Sequence, residues 1–324
     1  MVICSIAASV SGQADRASPP KWFRGNTHTH TLNSDGDSQP ADVVRWYREN
    51  GYNFVFITDH EFITSVAPLN DLLGLAGSFA VFSGQEVTDS FDKKPYHVNG
   101  LGLERVVLPW KSGPGSTATL QRDLDAIRAA GGIPQLNHPN FGWAVTEADI
   151  SKLSGIMLFE LYNGHPLVNN LGGGDSPGVE TIWDAVLASG KLIYGVASDD
   201  AHNFKQPFDR SVAAPGRGWI YVRAPDLSAR AILDAMERGD FYASTGVELE
   251  EYSADHSQVT LKVKAERWSK YRIQFIGSGG RILSETGAGQ AVYRFTGNEG
   301  YVRAKVIESN GKTAWTQPVL VKKK

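Results

Sequence analysis

A series of metal-type side chains recurs in this chain where strand-like runs end, and that series limits the fold more than any other feature. It opens with His28 and His30 in Gly25-Asn26-Thr27-His28-Thr29-His30-Thr31. It continues through Asp35, Asp59-His60, Glu86, His97, His138 and Asp199-Asp200-Ala201-His202. Three of these positions close apolar runs: Phe54 to Ile57 leads to Asp59-His60, Ile133 to Leu136 to His138, and Leu192 to Ala197 to Asp199-Asp200. Side chains alternate along a strand, so an H-x-H pair on extended backbone aims both imidazoles to one side. Asp200-x-His202 repeats that geometry with one carboxylate and one imidazole. Such a chain needs a fold that gathers several strand ends on one face.

The segments between these positions read as alternating strands and helices. Residues 40–49 form a predicted helix, started by Ser38 and a proline and stopped at Asn50-Gly51, with a strand over 53–58 after it. Residues 117–130 predict a second helix, with Leu120, Leu124 and Ile127 on one face and Gly131-Gly132 ending it. Strands are expected over 133–137, 156–161 and 192–197, with a helix over 179–188. This rhythm predicts parallel strands. Ligands at their carboxyl ends would then meet on one face, as in a TIM-like barrel.

The helix over 228–238 and the strand over 241–246 look like the last barrel elements. After Gly246 the helical periods vanish, and alternating segments over 259–264, 272–276, 291–295 and 301–307 predict an antiparallel β-sandwich. The expected architecture is α/β, a distorted TIM-like (β/α)7 barrel over 21–246 followed by a small sandwich over 247–324.

The 324 residues carry 32 basic and 35 acidic side chains, a formal charge of −3, so neither nucleic acid nor an anionic membrane is an implied partner. A small-molecule substrate is expected instead. Residues 1–20 read as a signal segment and linker, cleaved near Ala14, which predicts a secreted or periplasmic protein. Cys4, the only cysteine, lies in that segment. No later run is long enough to span a membrane.

Imidazole with carboxylate and without thiolate suits Zn, Mn or Fe at a hydrolytic site better than a structural zinc. Two such metals a few ångströms apart can share a water and bring its pKa towards neutrality, giving a hydroxide that attacks phosphorus or carbonyl centres. An isolated histidine is more often a surface or core residue, and His256 in Ala254-Asp255-His256-Ser257 is expected to be one. His165 in Asn163-Gly164-His165-Pro166 follows a strand and is a candidate for lining the site.

His28-Thr-His30 with Ser34-Asp35-Gly36, Thr58-Asp59-His60, Glu86 with His97, Asn137-His138-Pro139, Phe159-Glu160-Leu-Tyr-Asn163 and Asp200-Ala-His202 together resemble the ordered motifs of the PHP (polymerase and histidinol phosphatase) metal-dependent phosphoesterases. Trp22 to Asn26, Gly218 to Arg223 and Ala314 to Pro318 resemble, more narrowly, the secreted two-domain hydrolases grouped with the carbaryl hydrolase CehA. The resemblance implies two or three divalent transition metals. His28, His30, Glu86 and Asp200 would hold the first, Glu86 would bridge to a second held by His97 and His138, and Asp35, His60 and His202 would hold a third. Asp35 departs from the family, which often has His there.

Asp199 is then expected to orient an imidazole, with Asp59 and Glu160 as supporting groups. Lys205, Arg210 and Arg217 are candidate cations for charge on the leaving side. These expectations favour a phosphoesterase, with a carbamate or amide hydrolase as the alternative and a non-catalytic binding protein behind both.

Overall fold

The computed structural model describes residues 19–111 and 113–322; the expected signal sequence with Cys4 lies outside the described residues. The chain begins with β1 (Lys21–Asn26), α1 (Pro40–Glu49), β2 (Phe54–Ile57), α2 (Ala67–Leu73), β3 (Ala80–Phe91) and β4 (Lys94–Leu101). It continues with α3 (Ser116–Ala129), β5 (Ile133–Leu136), α4 (Glu147–Lys152), β6 (Leu158–Asn163), α5 (Val179–Ala188), β7 (Tyr194–Ser198), β8 (Trp219–Ala224), α6 (Ala229–Glu237) and β9 (Phe241–Ser244). The helices form where the apolar spacing places them. α1 starts with proline at its first position, where no N–H is needed, and buries Val43, Val44 and Tyr47. α3 buries Leu120, Leu124 and Ile127 on one stripe.

The fold is mixed α/β. Strands β1, β2 and β3 are parallel neighbours, as are β5, β6 and β7. Gly25 permits the first contact, because a Cβ there would lie 2.1 Å from the Phe54 ring. The purely parallel repeat expected from the sequence is interrupted. β4 runs antiparallel to both β3 and β5, because β3 and β4 are joined by a two-residue turn rather than a helix. Asp92 and Lys93 supply the positive φ angles, 50° and 62°, that such a hairpin turn requires. Beyond β7, a parallel bridge pairs Thr29 with Ala201, so the β1 to β7 series is hydrogen-bonded back to its own start.

The remaining strands are β10 (Leu249–Ala254), β11 (Gln258–Val263), β12 (Tyr271–Gly277), β13 (Arg281–Thr286), β14 (Gln290–Arg294), β15 (Tyr301–Glu308), β16 (Thr313–Thr316) and β17 (Val319–Leu320). β10, β11 and β14 make a separate antiparallel sheet. Its Val259, Leu261 and Val263 share a core with Ile273 and Phe275 of β12 and with Val302, Ala304 and Val306 of β15. Antiparallel pairing begins before the border expected near Gly246, with β8 against β1 and β9 against β8, and hydrogen bonding runs across that border: β16 pairs with β9, and the Gln317 side chain bonds both backbone groups of Gly195. Among the described residues no helix is long and apolar enough to cross a membrane.

Candidate metal centre

The β3–β4 hairpin sets the centre of the site. Its register places Glu86 opposite Asn99 and Thr88 opposite His97, so with period-two alternation all four side chains share one face. Glu86 Oε1 lies 3.0 Å from His97 Nδ1 and 3.2 Å from His138 Nε2, while Oε2 lies 3.1 Å from His28 Nε2 and 3.2 Å from His30 Nε2. One carboxylate therefore serves two groups of imidazoles, one on each oxygen. His28 and His30 arrive on the extension of β1, held by His30 N–H to Ala201 O (2.9 Å) on one side and Thr58 N–H to Thr29 O (3.0 Å) on the other. Asp200 N–H in turn donates to His28 O at 3.0 Å, which brings the Asp200 carboxylate to 3.2 Å from both imidazoles.

Three groups of potential donor atoms result, each with its atoms within 4.8 Å of one another: His28, His30, Glu86 and Asp200; Glu86, His97 and His138; and His30, Asp35, His60 and His202. All nine positions expected from the sequence fall in these groups. His202 and His60 reach Asp35 at 3.3 and 3.5 Å, and Asp35 itself is half exposed. The turn carrying Asp35 is pressed onto the site, since a Cβ on Gly36 would stand 2.7 Å from the His30 backbone.

A cation fits this arrangement. His30 Nε2 is buried and makes no hydrogen bond, although two carboxylate oxygens stand 3.2 Å away. A buried imidazole nitrogen that faces two carboxylate oxygens without a hydrogen bond is arranged for a shared positive ion. The tautomers agree. His28 Nδ1–H donates to Glu160 (2.7 Å) and His202 Nδ1–H to the Asp200 carbonyl (2.9 Å), which leaves each Nε2 lone pair facing the cluster. His138 and Asp200 hold positive φ angles, 22° and 49°, which non-glycine residues rarely adopt.

Electrostatics point the same way. Burial opposes charge on His28, yet Asp200, Glu86 and Glu160 hold it well above its ordinary value. Against burial too, Glu86 and Asp35 lift His60 to about 9. Burial likewise opposes charge on Glu86, but His28, His60 and His97 keep it well below the carboxylate range. His97 goes the other way, lowered by burial and by its imidazole neighbours His138 and His60. The cavity favours added positive charge.

The supporting groups differ in part from expectation. Asp199 orients no imidazole: its carboxylate accepts from the backbone N–H groups of Arg217 (2.6 Å) and Gly218 (2.9 Å) and from Tyr47 Oη (2.9 Å). Glu160 does the orienting, on His28, and also accepts from His138 N–H at 2.8 Å. Asp59 fixes the first loop through Thr31, Ser34 and Thr64. Two amides to which the sequence gave no role steer carboxylates. Asn137 donates to Glu86 (2.8 Å), and Asn163 to Glu160 (2.7 Å) and Asp200 (3.1 Å). Their sequence signal was membership of the Asn137-His138-Pro139 and Phe159-Glu160-Leu-Tyr-Asn163 motifs, which assigned them no role.

The expected cationic clamp is not assembled. Pinned by Asp199, Arg217 points its guanidinium at the carbonyls of Gly164 (3.0 Å) and Asp209 (2.7 Å). Lys205 and Arg210 are exposed, and Lys205 meets Asp37 through its backbone N–H. His165 does reach the site, its ring 5.6 Å from that of His202, and burial holds it below its ordinary pKa. Phe141, which no pattern marked, lies 5.2 Å from His138 and 6.2 Å from His97. His256 is exposed and lines a separate cavity of about 940 Å³ beside Tyr194, Tyr252 and Phe295, to which none of the nine residues contributes.

The whole chain superposes on a known architecture. A two-domain protein from Bacteroides vulgatus, containing a predicted PHP-like metal-dependent phosphoesterase, matches over 97% of this chain and 100% of its own at 15% identity, with a TM-score of 0.51. This chain shares the fold of that two-domain protein. An amidohydrolase from Chromobacterium violaceum matches over 58% of this chain and 89% of its own (16% identity, TM-score 0.40). A lesion-specific endonuclease from Pyrococcus furiosus matches over 68% and 56% (11% identity, TM-score 0.39). No family model and no curated protein sequence matches this chain.

Proposed function

We propose that the protein is a metal-dependent phosphoesterase acting on a small phosphate ester, with Zn, Mn or Fe held by the three donor groups. The β1 to β7 series is then a distorted barrel carrying the site, and 247–324 its accessory layer. The observation that carries the proposal is the third group, His30, Asp35, His60 and His202, standing beside the first with Asp35 half exposed. A second and third positive centre on the open side suits the several anionic oxygens of a phosphoryl group. When bound, divalent cations supply Lewis acidity and acidify a water at neutral pH.

The chain's own residues do the positioning. Glu160 and the Asp200 carbonyl fix the tautomers of His28 and His202. Asn137 and Asn163 hold Glu86 and Asp200 in place. Burial of His28, His30, Glu86 and Asp200 keeps bulk water from competing for the donor atoms.

One observation favours carbamates or amides instead. With Arg217 committed to loop carbonyls and Lys205 and Arg210 exposed, none of the three candidate cations waits for a phosphate. Elemental analysis and kinetics decide. The metal-supplemented protein should hold on the order of two equivalents or more of transition metal. A matched aryl phosphate should be turned over faster than the aryl carbamate. A carbamate kcat/KM about tenfold higher, roughly 1.4 kcal/mol in the barrier, would replace the phosphoesterase reading by the second one.

A further inference from the structure

Of the two histidines left out of all three donor groups, His165 and His256, only His165 stands at the site. His165 follows β6 on the loop that carries Asn163, and that residue ties the loop to the cluster: Asn163 Oδ1 accepts from His165 N–H at 2.8 Å while its amide donates to Asp200 at 3.1 Å. The ring stands edge-on to His202 (5.6 Å) and to Phe141 (6.2 Å). His165 thus sits against the cluster without belonging to it.

Its tautomer is set by a single contact. Leu167 N–H points at His165 Nδ1 from 3.2 Å. A backbone N–H can only donate, so Nδ1 carries the lone pair, and in the neutral ring the proton is on Nε2. This is the reverse of His28 and His202, whose Nδ1–H groups are taken by acceptors and whose Nε2 atoms are free to bind a cation. To ligate through Nε2, His165 would need its proton on Nδ1, where it would collide with the Leu167 N–H. The two ring nitrogens point away from each other, so with Nδ1 turned to the loop's own backbone, Nε2–H is turned off the loop. No acceptor meets it among the described residues, and it is not a buried unpartnered atom.

We infer that His165 is the substrate-contacting hydrogen-bond donor of this site, its Nε2–H given to the leaving oxygen of the bound ester. The inference rests on the proposed hydrolase function and fills the place expected of Lys205, Arg210 or Arg217 with a neutral group. A neutral donor stabilises charge as it develops on the departing oxygen without attracting anions beforehand. The contact is a hydrogen bond; no proton transfer is asked of it. Phe141, packed against His97, His138 and His165, forms the apolar side of the same wall.

The test is a leaving-group series, aryl phosphates and matched aryl carbamates of rising phenol pKa, on metal-loaded wild type, His165→Ala and His165→Gln. His165→Ala should keep the wild-type metal content and lose on the order of 10²-fold in kcat on the poorest leaving group, with little loss on the best. His165→Gln, whose amide can still donate, should recover part of the loss. Equal loss along the series, no loss, or loss of metal from a folded variant would each overturn the assignment. Wild-type preference between the two series judges the phosphoesterase reading separately, and a wild type that turns over neither overturns both.

Discussion

Two regions of this molecule bury charge, and they do so in opposite ways. Between α5 and β15, Arg303 is fully buried with Asp184 at 2.8 and 2.9 Å and Glu180 at 2.9 Å, while Lys305 adds a second cation to Glu180 and Tyr301 donates to Asp184. Burial resists charge on Arg303, and Asp184 and Glu180 overcome it. The protein supplies the counter-charges of that cluster itself, although Arg303 Nη1 is left without a hydrogen bond. In the metal centre, the carboxylates of Glu86 and Asp200 face imidazoles instead of guanidinium or ammonium groups, and His30 Nε2 bonds to nothing. The rings of His30 and His202 stack only 4.1 Å apart, an arrangement that would be repulsive were both protonated. One cluster joins two parts of the fold; the other gathers donor atoms able to hold a cation.

The sharpest way to break this comparison is to remove a carboxylate from the incomplete cluster. Glu86→Ala and Asp200→Asn should each abolish turnover, by about 10³-fold or more, because several kcal/mol of transition-state stabilisation passes through groups of this kind. Metal content measured on the same samples should fall. His256→Ala, on the exposed side of the accessory layer, should leave both unchanged. Comparable losses in all three folded variants would refute the site assignment.

Chelation comes next. A tightly held cation that binds only the folded state adds about 4 kcal/mol at a thousandfold excess over its Kd, so removing it should lower Tm by several degrees and readdition should restore it. A Tm indifferent to chelator would mean that the site, like the Arg303 cluster, is complete without metal.

The Arg303 cluster should respond to the opposite treatment. Arg303→Ala strands the buried Asp184 and should cost about 3–5 kcal/mol by denaturant unfolding, with metal content per folded molecule unchanged. Replacing Arg303 and Asp184 together by apolar residues of similar volume should recover most of that loss. Recovery by the single substitution alone would show that Asp184 is not held as an ion.

The nine donor positions were legible because strand alternation and their place after apolar runs are local rules, and the PHP resemblance ordered them into groups. What was not legible came from contacts far apart in sequence. The antiparallel β4 depends on a turn at Asp92-Lys93, where neither residue is glycine and nothing advertises a positive φ. The helix α2 fell in a stretch that carried no motif. Asp199 looked like a partner for an imidazole because it adjoins Asp200, but successive residues point apart. Its carboxylate turned to the backbone of 217 and 218 instead, taking Arg217 away from the site. Glu160 could do Asp199's expected work because β6 lies between β5 and β7.

Asp123 supplies a third case and the smallest expected effect. It lies on the buried face of α3, fully buried, and neither carboxylate oxygen has a partner among the described residues. Arg122 compensates it only in part: burial, with Asp89 nearby, pushes its pKa up to about 8. In the unfolded chain the same carboxyl ionises near 4. Between those values the native state holds one proton more than the unfolded state, so stability falls as pH rises from about 4 to about 8 and levels off above it. Asp123→Asn removes the titration while keeping the shape. With the metal centre kept saturated, the variant should unfold like wild type near pH 5 and become more stable by about 1–3 kcal/mol at pH 8, the usual cost of an uncompensated buried polar group. Denaturant titrations of both proteins at the two pH values measure the difference. A gap that does not widen with pH would mean that Asp123 is ionised and compensated inside the fold, which would place it with the Arg303 cluster rather than apart from both.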